Sequence, residues 1–332
     1  MEQVEKHPAD IAKTAADHFK ITRQAVNKHL QRLTAEKSLA EAGNTRSRTY
    51  KLCPLSEWTR KYPIHSQLAE DVVWRNDIQS VLGKLPDNVL SIWHYGFTEM
   101  FNNAIDHSGG TSIVVHITKT ASAAEIVVVD DGVGIFQKIR QAMNLLDERH
   151  AILELSKGKL TTDPKGHTGQ GIFFTSRMVD SFDIISHGVH FSHQFGKAVT
   201  QGTGVWMKLN NRTSRTAKKI FDQYSSADDD YGFTRTVVPV RLAQYGNDQL
   251  ISRSQSKRLL ARVELFKIVI LDFEGVQTIG PAFADEIFRV FAREHPEIQL
   301  LYTKANSEVK RLIERARAGA AGESPTSSES QK

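Results

Sequence analysis

The N-terminal part of the chain repeats apolar residues with the spacing of two short helices. In residues 10–19 the apolar side chains recur every three or four positions, and Thr22 is a suitable N-cap for a second helix. The apolar face of this second helix consists of Val26, Leu30 and Leu33. Residues 39–52 then have the pattern of a β-hairpin, with Gly43-Asn44 at or near its turn. The pattern predicts two packed helices followed by a hairpin.

The polar face of the second helix carries basic and amide side chains, and two arginines follow the turn of the hairpin. These residues are Arg23, Gln24, Asn27, Lys28, Gln31, Arg46 and Arg48. Guanidinium, ammonium and carboxamide groups are the ones that contact phosphates and base edges in DNA. Residues 1–53 therefore resemble a winged helix-turn-helix, which implies that the second helix and the hairpin bind DNA. A three-helix domain with an ordinary solvated basic face is the alternative.

The middle of the chain predicts an α/β domain over residues 64–210. Residues 54–63 have proline at both ends and are interpreted as a linker, residues 65–85 have a helical pattern, and residues 86–108 predict one long helix. The predicted strands are residues 112–118, 125–129, 182–186, 189–193 and 204–209. Further helical segments are predicted between the second and third of these strands. The predicted domain is therefore a mainly antiparallel sheet with helices on one face.

Strands and helices alternate again in residues 231–316, which predicts a small sheet with helices packed on it. Residues 210–230 are polar, and residues 225–230 are interpreted as a surface turn or linker. Residues 317–332 are rich in Ala, Gly, Ser and Glu and are predicted to be a disordered tail. The chain as a whole is predicted to be a multidomain α/β protein.

Composition narrows the class of protein only slightly. The net charge of +5 and the pI near 9.1 permit a nucleic-acid partner without requiring one. Cys53 is the only cysteine, so an internal disulfide is excluded, which fits a reducing compartment. No apolar run is long enough to span a membrane, and the first residues are too polar for a signal peptide. We expect a cytoplasmic protein that does not bind membranes.

One face of the long helix carries chemically competent side chains. Glu99, Asn103 and His107 are spaced four residues apart, so they share one face of a helix whose other face is apolar. A carboxylate can accept a proton from a nucleophile, and a carboxamide oxygen can bind Mg²⁺. His107 beside Asp106 could suggest a metal pair, but no third ligand is spaced to join them.

Two glycine-containing motifs follow this helix. Asp130 ends a predicted buried strand and is followed by Gly132 and Gly134, so its carboxylate can face a cavity that a purine could approach closely. Gly169 and Gly171 precede a predicted helix, whose first N–H groups could bind phosphates.

Together, Glu99-x-x-x-Asn103, Asp130-x-Gly132-x-Gly134 and Gly169-x-Gly171 resemble the three motifs of the GHKL ATPases, which share the Bergerat α/β sandwich. The resemblance implies that Glu99 is catalytic, that Asn103 binds Mg²⁺, and that Asp130 binds the adenine amino group of ATP. It also implies a lid in residues 136–165. The phosphates would be bound by Gly166, His167, Thr168, Gly169 and Gly171, and the further candidates for phosphate contact are Lys157, Lys159 and Lys165.

The C-terminal part also resembles a known family. Residues 269–288 are similar to the STAS-like domain of unknown function, which is related to anti-sigma-factor antagonists. The resemblance implies a protein partner for this domain. Antagonists carry a phosphorylatable serine at the start of the helix that follows the strand, whereas Gly280-Pro281-Ala282 has no hydroxyl. Thr278 is the nearest hydroxyl and is interpreted as structural.

Three functions fit this domain order. The first is a transcriptional regulator in which Mg²⁺-ATP binding or hydrolysis controls the binding of DNA or of a partner. The second is a protein kinase, either of the anti-sigma serine type or an atypical histidine kinase. His65 and His94 lack the sequence context of a phosphoacceptor histidine, which favours the serine type. The third is a module that binds ATP without turnover. We expect a homodimer in each case.

Overall fold

A computed structural model of the protein describes residues 1, 3–44, 47–160, 169–186, 189–191, 202–225, 232–244 and 249–321. The chain divides into two compact units. The N-terminal unit contains Met1–Ile135 and Thr175–Ala217, and the C-terminal unit contains Phe136–Phe174 and Lys218–Lys332. The described strands form three sheets, as expected for a multidomain α/β protein.

The helices in chain order are α1 (Ile11–Phe19), α2 (Arg23–Ala35), α3 (Glu70–Val73), α4 (Gln79–Leu82), α5 (Asp87–His107), α6 (Ile135–Ala142), α7 (Glu148–Lys157), α8 (Gly171–Met178), α9 (Ala217–Tyr224), α10 (Arg253–Leu260), α11 (Pro281–Asp285), α12 (Ala292–Glu294) and α13 (Ser307–Ala321). Two π-helical turns join α3 to α4 and α11 to α12, namely Trp74–Ile78 and Glu286–Phe291. Two 3₁₀ turns are Val240–Ala243 and Val263–Leu265.

The strands in chain order are β1 (Leu39–Ala42), β2 (Thr49–Leu52), β3 (Ser56–Pro63), β4 (Ser112–Lys119), β5 (Ala123–Asp130), β6 (Ser181–Ser186), β7 (Val189–Phe191), β8 (Thr203–Asn210), β9 (Arg235–Pro239), β10 (Ile268–Asp272) and β11 (Gln299–Thr303).

The N-terminal helices and hairpin form as the sequence predicts. The side chain of Thr22 accepts a hydrogen bond from the amide of Ala25 and caps α2. Strands β1 and β2 pair antiparallel, with Ala42 opposite Thr49. A small core joins the helices to the hairpin; it consists of Val4, Ile11, Ala16, Val26, Leu30, Leu39, Tyr50 and Leu52.

The prediction of a linker at residues 54–63 is wrong. Residues 56–63 form β3, which pairs antiparallel with β4 along its whole length and is one edge of a six-stranded sheet. Pro63 was misleading because an edge strand tolerates proline, which cannot donate a hydrogen bond to a neighbour. The buried Tyr62 donates a hydrogen bond to Asp77 at 2.7 Å and fixes the strand to the π-helical turn.

The six-stranded sheet has the order β3-β4-β5-β8-β6-β7, and all its neighbours are antiparallel. Helix α5 packs on β4, β5 and β8. The buried residues of α5 are Val89, Ile92, Trp93, Gly96, Phe97, Met100, Phe101 and Ala104. This row confirms the predicted apolar face, and the half-buried candidate residues lie beside it.

The C-terminal unit contains a parallel sheet of order β11-β10-β9. Helices α10, α11 and α13 belong to this unit, and α7 packs against β9 within it. The sequence analysis missed helix α9, which forms within the polar segment 210–230. The prediction of a disordered tail from residue 317 fails in part, because α13 continues to Ala321 and residues 317–321 are helical. Among the described helices, none combines the length and the apolar character needed to cross a membrane.

Candidate nucleotide site

Helix α5 presents the predicted polar row beside its buried face. Glu99, Asn103 and His107 are all half-buried, as is Tyr95 one turn before Glu99. Burial raises the pKa of the Tyr95 hydroxyl, and the negative charge of Glu99 raises it further. The carboxamide of Asn103 makes no hydrogen bond within the described part of the chain. Its oxygen is therefore a suitable hard ligand for Mg²⁺.

The Asp130 side chain lies at the end of β5 and is only 7% exposed. Its Oδ1 accepts hydrogen bonds from the backbone amides of Gly132 at 2.9 Å and Thr203 at 3.2 Å. Burial raises the pKa of this carboxyl, and the two hydrogen bonds oppose that shift. Its Oδ2 accepts no hydrogen bond from another described residue. An oxygen with spare acceptor capacity on a largely buried carboxylate favours a ligand that brings an N–H donor.

Gly132 is required by the packing of the backbone. A Cβ atom at this position would lie 2.2 Å from the carbonyl oxygen of Ser108, just after α5. The next amide, that of Val133, donates to the same oxygen at 3.0 Å. Gly134 has φ of +85°, a conformation that favours glycine. The motif that begins at Asp130 is thus fixed directly against the end of the helix that carries Asn103.

Asp131 has a structural role that differs from that of its neighbour Asp130. Its Oδ1 accepts hydrogen bonds from the amides of Thr111 and Ser112 at 2.7 and 2.9 Å. Its Oδ2 accepts from their hydroxyl groups at 2.8 and 2.7 Å. These donors hold the pKa of the Asp131 carboxyl far below its usual range. Asp131 fastens the start of β4 to the end of β5, which leaves Asp130 as the ligand candidate.

Sequence reasoning missed Gly202 and Thr203. A Cβ atom on Gly202, whose φ is +76°, would lie 1.9 Å from the carbonyl oxygen of Asp130. The hydroxyl of Thr203 accepts a hydrogen bond from the amide of Ile135 at 2.9 Å. Thr203 therefore fixes both the Asp130 carboxylate and the end of its glycine motif. The triplet Gly202-Thr203-Gly204 was a visible signal, since glycines around a strand start often mark a close backbone approach.

Gly169 and Gly171 lie in the C-terminal unit, whereas Glu99, Asn103 and Asp130 lie in the N-terminal unit. The carbonyl oxygen of Gly169 accepts a hydrogen bond from the amide of Leu160 at 3.2 Å. Gly169 has φ of +66°, and a Cβ there would lie within 2.6 Å of three backbone atoms of Leu160. Helix α8 begins at Gly171, as predicted. The other predicted phosphate residues, Lys165, Gly166, His167 and Thr168, lie outside the described residues.

The suggested phosphate contact of Lys157 is not supported. Its side chain is completely buried, and its ammonium donates to Glu154 and to two backbone carbonyl groups. An ammonium with three acceptors has no hydrogen left for a phosphate. Lys159 donates to the carbonyl oxygen of Leu265 at 2.8 Å.

The candidate DNA-binding residues divide into three groups. The five on α2 are exposed, namely Arg23, Gln24, Asn27, Lys28 and Gln31. Arg48 is only half-exposed and pairs with Glu41 at 3.5 Å. Arg46 lies outside the described residues.

The packing at the start of α11 excludes a serine at one of the three positions without a hydroxyl. Gly280 precedes α11, and a Cβ there would lie 2.7 Å from the Cα of Ile251. A serine at Gly280 would therefore displace the backbone. The hydroxyl of Thr278 donates to Glu308 at 2.8 Å, which agrees with a structural role.

Comparison with known proteins identifies two regions of the chain. Residues 65–200 match the family model of a histidine kinase-like ATPase domain, and residues 255–310 match that of a STAS-like domain of unknown function. No curated protein matches the chain. The first match includes Glu99, Asn103, Asp130 and the glycines at 169 and 171. The chain therefore contains a histidine kinase-like ATPase domain, which implies nucleotide binding, followed by a STAS-like domain.

Proposed function

We propose that this protein is an ATP-binding regulator in which Mg²⁺-ATP, bound by the histidine kinase-like domain, controls the binding of DNA or of a partner protein. The observation that carries the proposal is the buried Asp130 carboxylate, whose Oδ2 keeps its acceptor capacity while Oδ1 is fixed by Gly132 and Thr203. The exocyclic amino group of adenine is a donor of the required kind.

The row on α5 supplies the remaining chemistry of the proposal. The oxygen of Asn103 would coordinate Mg²⁺, which neutralises charge on the phosphates when it is bound. Glu99, one helical turn earlier, would accept a proton from the attacking nucleophile. Both residues lie beside an apolar helix face, where the effective dielectric constant is lower than in water. The attraction of the Asn103 oxygen for Mg²⁺ and of the Glu99 carboxylate for the proton is therefore stronger.

The proposed DNA contact rests on α2. Its exposed face combines the basic side chains of Arg23, Lys28 and Arg32 with three amide side chains, and α2 contains no acidic residue. Such a face can contact phosphates and base edges. A pool of random-sequence duplexes provides the probe: bound DNA is separated and sequenced, with and without Mg²⁺-ATP. Replacement of Asn27 and Lys28 by alanine should abolish retention, whereas the exposed Glu36→Gln control should not.

Calorimetry with Mg²⁺-ATP tests the central proposal. We expect saturable binding that requires Asp130, and we expect Glu99→Gln to retain binding while turnover is lost. A wild-type protein that binds no ATP would refute the proposal. If ATP binds but DNA retention does not change, only the proposed control of DNA binding is refuted. The proposed control of a partner protein would then remain.

A protein kinase is the second candidate, because Glu99 could take its proton from a serine hydroxyl as well as from water. Incubation with ATP labelled on its γ-phosphate separates the two reactions. Free labelled phosphate alone supports an ATPase, and label on this chain or on a co-purified protein supports a kinase. Binding without either product identifies a module that responds to ATP without turnover.

A further inference from the structure

The C-terminal end of α7 is held by an ion-pair network within the C-terminal unit. The buried ammonium of Lys157 donates to Glu154 at 2.7 Å and to the carbonyl oxygens of Arg258 at 3.2 Å and Ala261 at 2.7 Å. The second carboxylate oxygen of Glu154 accepts from Arg262 at 3.1 Å. Glu154 lies within the ATPase match, and Arg262 lies within the STAS-like match. The network therefore joins a residue of one family region to a residue of the other.

The backbone at the end of α7 is fixed as well. The carbonyl oxygen of Lys157 accepts from the buried hydroxyl of Thr236 on β9 at 2.7 Å. The carbonyl oxygen of Lys159 accepts from Arg262 at 2.5 Å. Between them, Gly158 has φ of +81°, and a Cβ there would lie 2.7 Å from the ring of Phe233. Three consecutive residues are thus held by groups from outside the ATPase match.

This fixed backbone continues into a residue that is hydrogen-bonded to Gly169, one of the two described glycines that are predicted to bind phosphates. We call Gly169 and Gly171 the phosphate-side glycines. The amide of Leu160, the next residue, donates to the carbonyl oxygen of Gly169. Helix α8 begins two residues after Gly169, and its Phe173 and Phe174 pack on Phe233 with ring centroids 4.4 and 5.0 Å apart. Residues 169–174 are therefore held at Leu160 and at Phe233, and both attachments belong to the C-terminal unit.

We propose that the STAS-like domain is the support for the phosphate-side glycines, and that Arg262 is a positioning residue through which this domain sets the affinity for the nucleotide phosphates. This inference rests on the proposed function, since it requires that Mg²⁺-ATP is bound. The physical reason is preorganisation: a loop that is already held in place loses less conformational entropy when it binds a ligand. The STAS-like domain has in this way a partner within its own chain.

The experiment compares nucleotide affinities of the full chain and two variants. Arg262→Gln removes one ion pair from Glu154 and the donor to Lys159, and Arg262 is partly exposed, so the variant should fold. Asp285→Asn is the matched control, because it breaks a double hydrogen bond with Arg289 in the same unit that does not involve α7. Calorimetry is carried out with Mg²⁺-ATP and, separately, with adenosine, which has the base and no phosphates.

We expect Arg262→Gln to weaken Mg²⁺-ATP binding about 5- to 50-fold, within the usual range of coupling between sites. Adenosine binding should change less than about twofold, and Asp285→Asn should leave both affinities unchanged. A general loss of structure would weaken both ligands together. Equal Mg²⁺-ATP affinity for wild type and Arg262→Gln would overturn the inference, whereas a wild type that binds no ATP would refute the proposed function instead.

Coupling is reciprocal, which provides a measurement that needs no variant. Saturation with Mg²⁺-ATP should slow amide hydrogen exchange in residues 258–266, which lie outside the ATPase match. Adenosine should not slow it. Unchanged exchange in these residues at saturating ATP would also contradict the inference.

Discussion

The backbone amide of Thr203 donates a hydrogen bond to the Asp130 carboxylate across 73 residues of sequence. The bond joins the start of β8 to the end of β5, and these strands are neighbours in the sheet. Because Gly132 donates to the same oxygen, the carboxylate is held from both sides. Its other oxygen is left for a ligand, and this geometry leads to the first two predictions.

Asp130→Asn should weaken Mg²⁺-ATP binding by about 10- to 150-fold, the equivalent of a charge-assisted hydrogen bond of about 1.5–3 kcal/mol. The free energy of unfolding should not fall. An asparagine oxygen can still accept from Gly132 and Thr203, and the substitution removes a buried charge whose pKa burial already raises. Calorimetry and urea unfolding measure the two quantities. Asp183→Asn, on β6, is the control, and a parallel loss of affinity in it would indicate a nonspecific effect.

Thr203→Val should lower the free energy of unfolding of the N-terminal unit by about 1–2 kcal/mol, because the amide of Ile135 loses its acceptor. Thr203→Ser keeps the hydroxyl oxygen and should restore most of the loss. Tryptophan fluorescence during urea unfolding reports on this unit, since all four tryptophans lie in it. Equal stability of the valine and serine variants would show that the hydroxyl has no such role.

Local patterns predicted α5 and its polar row, because a helix places residues four apart on one face whatever surrounds it. They also predicted Asp130, whose role follows from its position at a strand end before two glycines. They could not predict that α7 packs with β9 in the C-terminal unit. In that packing the Thr236 hydroxyl on β9 donates to the carbonyl oxygen of Lys157. Glu154 and Lys157 also bond to Arg262 and Ala261, more than 100 residues later, and a solvated lysine and a buried one look the same in a sequence.

Strand β3 was missed because its pairing with β4 is also a contact between residues far apart in the sequence. The hydrogen bond that fixes β3 to Asp77 gives a third prediction. Tyr62→Phe should lower the free energy of unfolding by about 0.5–1.5 kcal/mol, because Asp77 loses the hydroxyl donor while the buried ring remains. Asp77 also accepts from Arg60 at 2.6 Å, so Asp77→Ala, which removes both acceptor oxygens, should cost at least as much. Tryptophan fluorescence again provides the measurement. If Tyr62→Phe has no effect in an Asp77→Ala background, the loss of stability belongs to this bond.

His150 on α7 predicts a dependence of stability on pH in the C-terminal unit. Burial lowers the pKa of its imidazole, and the charge of Arg258 lowers it further, while Asp147 and Glu154 act in the opposite direction. As the pH falls, the unfolded chain therefore takes up a proton on His150 at its ordinary pKa of about 6.5, before the folded protein does. Stability should fall as the pH decreases through this value, by up to about 1.4 kcal/mol at pH 5.5 for a single proton.

Hydrogen exchange of amides in α7 and β9 at pH 7.5 and 5.5, corrected for the intrinsic exchange rates, measures this loss. His150→Gln cannot take up the proton, so its stability should change less over the same interval. If His150→Gln loses as much stability as wild type between the two pH values, the pH dependence comes from other titratable groups. Since α7 carries both His150 and Glu154, wild-type nucleotide affinity should decline over the same pH interval if the STAS-like domain supports the glycines through this helix.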